Sequence, residues 1–157
     1  MRRLSLLSAV AVLTLLAAPL VTPASAGQYN SAPTHQTAMS NAFAKHGSAS
    51  ALSLNNNAID QSNLRFGGKT LPGFQTNSAP TSQSATSHAF ALHGDASATS
   101  VNTNEILQGN GAFGRKSPFQ SNSAPTTQSA VSSAVSIGGD ATALSANSNG
   151  VSQGNIH

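Results

Sequence analysis

Residues 74–110 read FQTNSAPTSQSATSHAFALHGDASATSVNTNEILQGN, and the chain holds two further copies of this stretch. A first copy opens QYNSAPTHQTAMS at Gln28 and closes QSN at Gln61 to Asn63; a third opens QSNSAPTTQSAVS at Gln120 and closes QGN at Gln153 to Asn155. The tetrapeptide Asn-Ser-Ala-Pro begins at Asn30, Asn77 and Asn122, and from each of these a glycine (Gly47, Gly94, Gly139) lies 17 positions on and the closing glutamine (Gln61, Gln108, Gln153) 31 positions on. The units admit no insertion, while the spacers between them differ by two residues. Fixed length inside and loose length outside marks a structural repeat.

Within each unit the pattern has a period of two. In the first half, Gln36, Ala38, Ser40 and Ala42 are matched by Gln83, Ala85, Ser87 and Ala89 and by Gln128, Ala130, Ser132 and Ala134. The opposite face drifts through Met39, Thr86 and Val131, then Phe43, Phe90 and Val135, then Lys45, Leu92 and Ile137. The second half alternates again. Its repeated face carries Ser53, Ser100 and Ser145; Asn55, Asn102 and Asn147; Asn57, Asn104 and Asn149; and Gln61, Gln108 and Gln153. Alanine favours helix, but Ser, Thr and Asn compete with a helical backbone, and identical residues recur every two positions, which is the period of a strand. Gly47, Gly94 and Gly139, in Lys-His-Gly-Ser, Leu-His-Gly-Asp and Ile-Gly-Gly-Asp, are read as the turn between the halves, where glycine supplies positive φ and Asp bonds its own backbone.

The repeated face is small or amide-bearing, whereas the buried face of an ordinary sheet is Val, Ile, Leu or Phe. It suits a narrow interior in which like residues stack: Asn and Gln hydrogen-bond along such a stack as ladders about 4.7–4.8 Å apart. The expected fold is all-β, a three-repeat β-solenoid or cross-β stack of strand–turn–strand rungs. The expected organisation is a signal peptide at 1–26, repeats at 28–63, 75–110 and 120–155, and spacers at 64–74 and 111–119. The spacers hold Phe-Gly, then a base, then Pro and Phe; Phe66, Phe74, Phe113 and Phe119 either pack over the edges of the strand layers or are incidental aromatics of solvated linkers, two readings of equal weight. Neither end of the stack carries an evident cap, and uncovered strand edges are templates for adding another chain.

Residues 1–26 have the layout of a secretory leader: Arg2 and Arg3, an apolar run from Leu4 to Leu20, and Ala24-Ser25-Ala26 as a small-x-small cleavage site. Beyond it there are five basic residues (Lys45, Arg65, Lys69, Arg115, Lys116) and four acidic ones (Asp60, Asp95, Glu105, Asp140), so the net charge is close to neutral and supports no nucleic-acid role. There is no Cys, hence no disulfide, and no N-glycosylation sequon. Burying a Leu or Phe stabilises by roughly 1.5–3 kcal/mol, against roughly 1–2 kcal/mol of backbone entropy per ordered residue. With large apolar residues scarce, something other than apolar burial must supply the difference, or the chain is disordered.

A catalytic set does not assemble from the motifs. His46 and His93 hold equivalent turn positions but the third unit has Gly138 there, and Asp95 and Asp140 are matched by Ser48 in the first. Stacked His46 and His93 would bind a transition metal only weakly. No nucleophile elbow, zinc-protease, P-loop or EF-hand pattern occurs. The chain is read as a non-enzyme that needs no cofactor.

With its alternating Gln, Asn, Ser and Ala, its closures Gln108-Gly109-Asn110 and Gln153-Gly154-Asn155, and its leader, the stretch from Gln28 to Asn155 resembles the curlins, subunits of curli-type secreted bacterial functional amyloid. The resemblance implies strand–turn–strand repeats with inward Gln and Asn ladders, a homopolymeric extracellular or cell-surface fibre for matrix formation or adhesion, and a nucleator subunit and secretion channel as further partners. It implies no membrane span after leader cleavage. Two other readings stand beside it: a monomeric β-solenoid that binds a surface as an adhesin module, and a disordered secreted chain, against which the fixed internal register argues.

Overall fold

A computed structural model describes residues 7–21, 27–66, 73–113 and 119–156, giving only the backbone path for 7–21. The strands are β1 (Leu7–Val21), β2 (Gly27–Ser31), β3 (Thr34–Ala44), β4 (Ala49–Phe66), β5 (Phe74–Ser78), β6 (Thr81–Leu92), β7 (Ala96–Phe113), β8 (Phe119–Ser123), β9 (Thr126–Ile137) and β10 (Ala141–Ile156). Among the described residues there is no helix. Each repeat contributes one strand to each of three parallel sheets, ordered β2-β5-β8, β3-β6-β9 and β4-β7-β10, and β1 adds a fourth strand beside β4.

Every pairing between units is parallel and in register. Gln36 lies beside Gln83, which lies beside Gln128; Asn55 lies beside Asn102, which lies beside Asn147. A one-residue slip would turn every inward side chain outward, and the invariant 17- and 31-residue offsets prevent it. The two arms of a unit do not pair with each other through the backbone. They face each other with their repeated residues inward, as the alternating burial of β3 and β4 records.

The first arm bends at Ala32-Pro33, Ala79-Pro80 and Ala124-Pro125. Proline lacks an N–H but keeps its carbonyl, so the ladder continues through the bend: Thr34 N–H donates to Pro80 O and Thr81 N–H to Pro125 O, both at 2.9 Å. The bend brings Ala79 onto Ile59 and Ile106, and these form one small apolar cluster. A second cluster lies near the turn and is made entirely of alanine, including Ala42, Ala44, Ala49, Ala89, Ala91 and Ala96. Methyl side chains let the two arms converge there.

The turn differs from expectation in detail. Positive φ falls on Gly47 (97°), but in the later units it falls one residue earlier, on His93 (58°) and Gly138 (80°). Gly94 and Gly139 serve a different need: a Cβ on Gly94 would collide with the backbone carbonyl of Gly47, and one on Gly139 with that of Gly94. Asp95 does not bond its own backbone; its Oδ1 accepts the N–H of Asp140 in the next unit at 3.0 Å.

The expectation of two bare ends is also corrected. The apolar core of the predicted leader, Leu7–Val21, pairs in parallel with β4 and covers that edge of the first unit, with a register break between Ala17 and Leu20. A parallel strand of apolar residues can satisfy backbone groups at an edge whatever its side chains are. Arg2, Arg3, the cleavage site at Ala24 to Ala26, and the spacer residues Lys69, Pro72, Arg115, Lys116 and Pro118 lie outside the described residues. Phe66, Phe74, Phe113 and Phe119 do not cover the layers: all four remain more than half exposed. They pair with each other instead, Phe66 stacked on Phe113 with centroids 5.5 Å apart and Phe74 edge-on to Phe119 at 5.9 Å.

Candidate functional site

The chemistry of the molecule is concentrated in its interior. Alternation in β4, β7 and β10 puts Asn55, Asn102 and Asn147 in one column: Asn55 Nδ2 donates to Asn102 Oδ1 at 2.9 Å, and Asn102 Nδ2 donates to Asn147 Oδ1 at 2.9 Å. Two residues along, Asn57 donates to Asn104 and Asn104 to Asn149, each at 2.7 Å. An amide has two N–H groups, and the second one crosses the interior: Asn55 Nδ2 also donates to Ser84 O and Asn102 Nδ2 to Ser129 O. The same atoms therefore bind unit to unit and sheet to sheet.

Glutamine columns work likewise. Gln83 Nε2 donates to Gln36 Oε1 at 2.7 Å and Gln128 Nε2 to Gln83 Oε1 at 2.8 Å. Across the interior, Gln36, Gln83 and Gln128 donate to Asn56 O, Thr103 O and Ser148 O. Gln108 donates to Gln61 and Gln153 to Gln108 at 2.8 and 2.7 Å. The polarity differs by residue type: asparagine columns donate toward later units, glutamine columns toward earlier ones.

The serines are in register but do not form a column of their own. Ser53 Oγ donates to Thr86 O and Ser100 Oγ to Val131 O, both at 2.7 Å, so each reaches the facing sheet of the next unit. A hydroxymethyl group is too short to span the roughly 4.8 Å between neighbouring strands, whereas the facing carbonyl is in reach. Ser145 sits at the equivalent place on the exposed β10.

Further columns stand at the opening of the unit, on residues that served the sequence reading only as unit markers. Asn30, Asn77 and Asn122 form one and Asn63, Asn110 and Asn155 another, with steps of 3.0–3.1 Å. The two interlock: Asn63 Nδ2 donates to Asn77 Oδ1 at 2.9 Å, and Asn110 Nδ2 to Asn122 Oδ1 at 2.8 Å. Gln75 donates to Gln28, and Gln120 to Gln75, beside them. Parity was the available signal, since Asn30 is six residues before Gln36 and Asn63 two after Gln61.

A buried hydrogen bond is worth about 1 kcal/mol net, and a buried polar atom left without a partner costs about 1–3 kcal/mol. Among the described residues, three side-chain atoms are so left: Asn55 Oδ1 and Asn57 Oδ1 at the first unit, and Gln120 Oε1 at the third. Asn55 and Asn57 are almost wholly buried, and their register neighbours on β1 are Leu13 and Leu15, residue types without a donor.

The outer face carries less. Phe43 and Phe90 stack at 5.5 Å, and a shallow depression beside them is lined by Asn41, His88, Ser133 and Val135. His46 and His93 stack at 5.6 Å, and no group of three metal-ligating side chains occurs among the described residues. No described helix is long and apolar enough to cross a membrane. Comparison with protein-family models, curated proteins and solved structures finds no match to the chain.

Proposed function

We propose that the protein is a secreted structural subunit whose β-solenoid rungs continue from chain to chain as a cross-β fibre, serving in an extracellular matrix or in adhesion. On this reading it is not an enzyme, Met1 to Ala26 is removed on export, and its principal partner is itself, with a nucleator subunit and a secretion channel as the accessory partners that curlin-like assembly calls for. The observation that carries the reading is the third unit. It has nearly the same inner residues as the second, in register, yet among the described residues the outer edge of β10 has no neighbouring strand, and its residues are exposed. An unprotected parallel edge with matching amides is a template for another rung.

The test is dilution of the chain from denaturant at micromolar concentration, with and without residues 1–26, followed by electron microscopy and fibre diffraction. Fibres with a meridional spacing near 4.7 Å are expected. A chain that stays monomeric with a β-type circular dichroism spectrum would instead be a surface-binding solenoid; one with no β signal would be disordered.

A further inference from the structure

The orphaned amide oxygens identify the partner and its register. Asn55 Oδ1 and Asn57 Oδ1 are buried without a donor, while each already uses its nitrogen toward the second unit. At the other end of the same columns, Asn147 and Asn149 use their oxygens to accept from Asn102 and Asn104, and they stand on a strand exposed along its length. What the first unit lacks, a donor at each of two positions two residues apart, is what the third unit presents. The glutamine columns match in the opposite sense, since Gln120 Oε1 at the third unit is an orphaned acceptor and glutamines donate toward earlier units.

Resting on the fibre-forming reading above, we propose that the outer edge of β4 is the docking site for β10 of a second copy, head to tail and in register, with Asn147 and Asn149 of that copy donating to Asn55 Oδ1 and Asn57 Oδ1. The segment Leu7–Val21 holds this edge in the full chain and meets neither donor requirement with Leu13 or Leu15, so it is an occupant that β10 displaces or that processing removes. Joining the copies with a slip of two residues, the smallest that keeps the repeated face inward, leaves at least one of these oxygens unpaired. Joining them third unit to third unit sets donor against donor.

Because the chain has no cysteine, the joint can be read by cross-linking. Leu54 and Ala146 are register partners of the same residue, Val101, so in the joint Leu54 of one copy neighbours Ala146 of the next at about 4.8 Å, within disulfide reach. Chains carrying Leu54→Cys and Ala146→Cys are made separately, both full-length and starting at Gly27, then assembled alone and as an equal mixture, oxidised and run without reductant. The expected result is a covalent dimer formed several-fold more in the mixture than from either chain alone, and less in full-length chains than in those starting at Gly27. A dimer from Ala146→Cys alone, or fibres with no excess dimer in the mixture, overturns the joint and leaves the fibre reading intact; failure to form fibres at all overturns both. As a second variant, N147D with N149D keeps oxygens that can accept from Asn102 and Asn104 and turns the outward donors into charged acceptors that face Asn55 Oδ1 and Asn57 Oδ1 in the joint. It is expected to retain its β-type spectrum and to assemble at least tenfold more slowly, whereas assembly at the unchanged rate overturns the assignment.

Discussion

The second and third units share their inner residues almost position for position, yet those residues live differently. Asn102 is wholly buried between Asn55 and Asn147; Asn147, its neighbour in the column, lies on a strand exposed from end to end. Ile106 is wholly buried while Val151, its counterpart, is 43 % exposed. Burial here is conferred by stacking, not by the composition of a unit, and a unit with only one neighbour is half finished. An ordinary domain hides its core by wrapping around it; this one hides each rung under the next.

Paired substitutions in the two units measure that difference, read as urea midpoints of the unassembled chain. Ile106→Ala is expected to cost about 3 kcal/mol, because it opens a cavity among Ile59 and Ala79, and Val151→Ala under about 1 kcal/mol; equal costs would break the comparison. Gly94→Ala drives a Cβ into the Gly47 carbonyl and is expected to cost about 2–3 kcal/mol. Gly139→Ala makes the same collision with Gly94 but at a turn with no unit stacked beyond it, so it should cost about half as much. Asn102→Ala is expected to cost about 2 kcal/mol through the partners it strands, and Asn147→Ala about 0.5 kcal/mol. Smallest, His93→Gly relieves a positive φ where the third unit already has Gly138 and should be neutral or stabilising by a few tenths of a kcal/mol.

The strand period, the inward face and the amide columns were legible in the sequence because side-chain direction in a strand has a period of two and three copies reveal which parity is held constant. The interlocked columns of Asn30 and Asn63 were missed because they coincide with the residues that define the unit ends, although their parity places them inward. Shared position places the serines with the amides, but side-chain length decides what each can reach. The turn glycines were legible as glycines but only partly for the right reason. At Gly94 and Gly139 the constraint comes from the unit beneath, which no single unit's sequence contains. That Leu7–Val21 pairs with β4 could not be read from hydropathy, because an apolar run serves a leader and a parallel strand equally.

The opposed directions of the asparagine and glutamine columns bear on the charge at the two ends of the stack. Side-chain amides are dipoles, and in a column whose members all point one way the dipole moment grows with every rung while each end carries a fixed partial charge of opposite sign, as in a helix. Here Asn30, Asn55, Asn57 and Asn63 head columns oriented toward later units, while Gln28, Gln36 and Gln61 head columns oriented toward earlier ones. The two sets largely cancel, so neither end of the stack carries a large net partial charge from its amides.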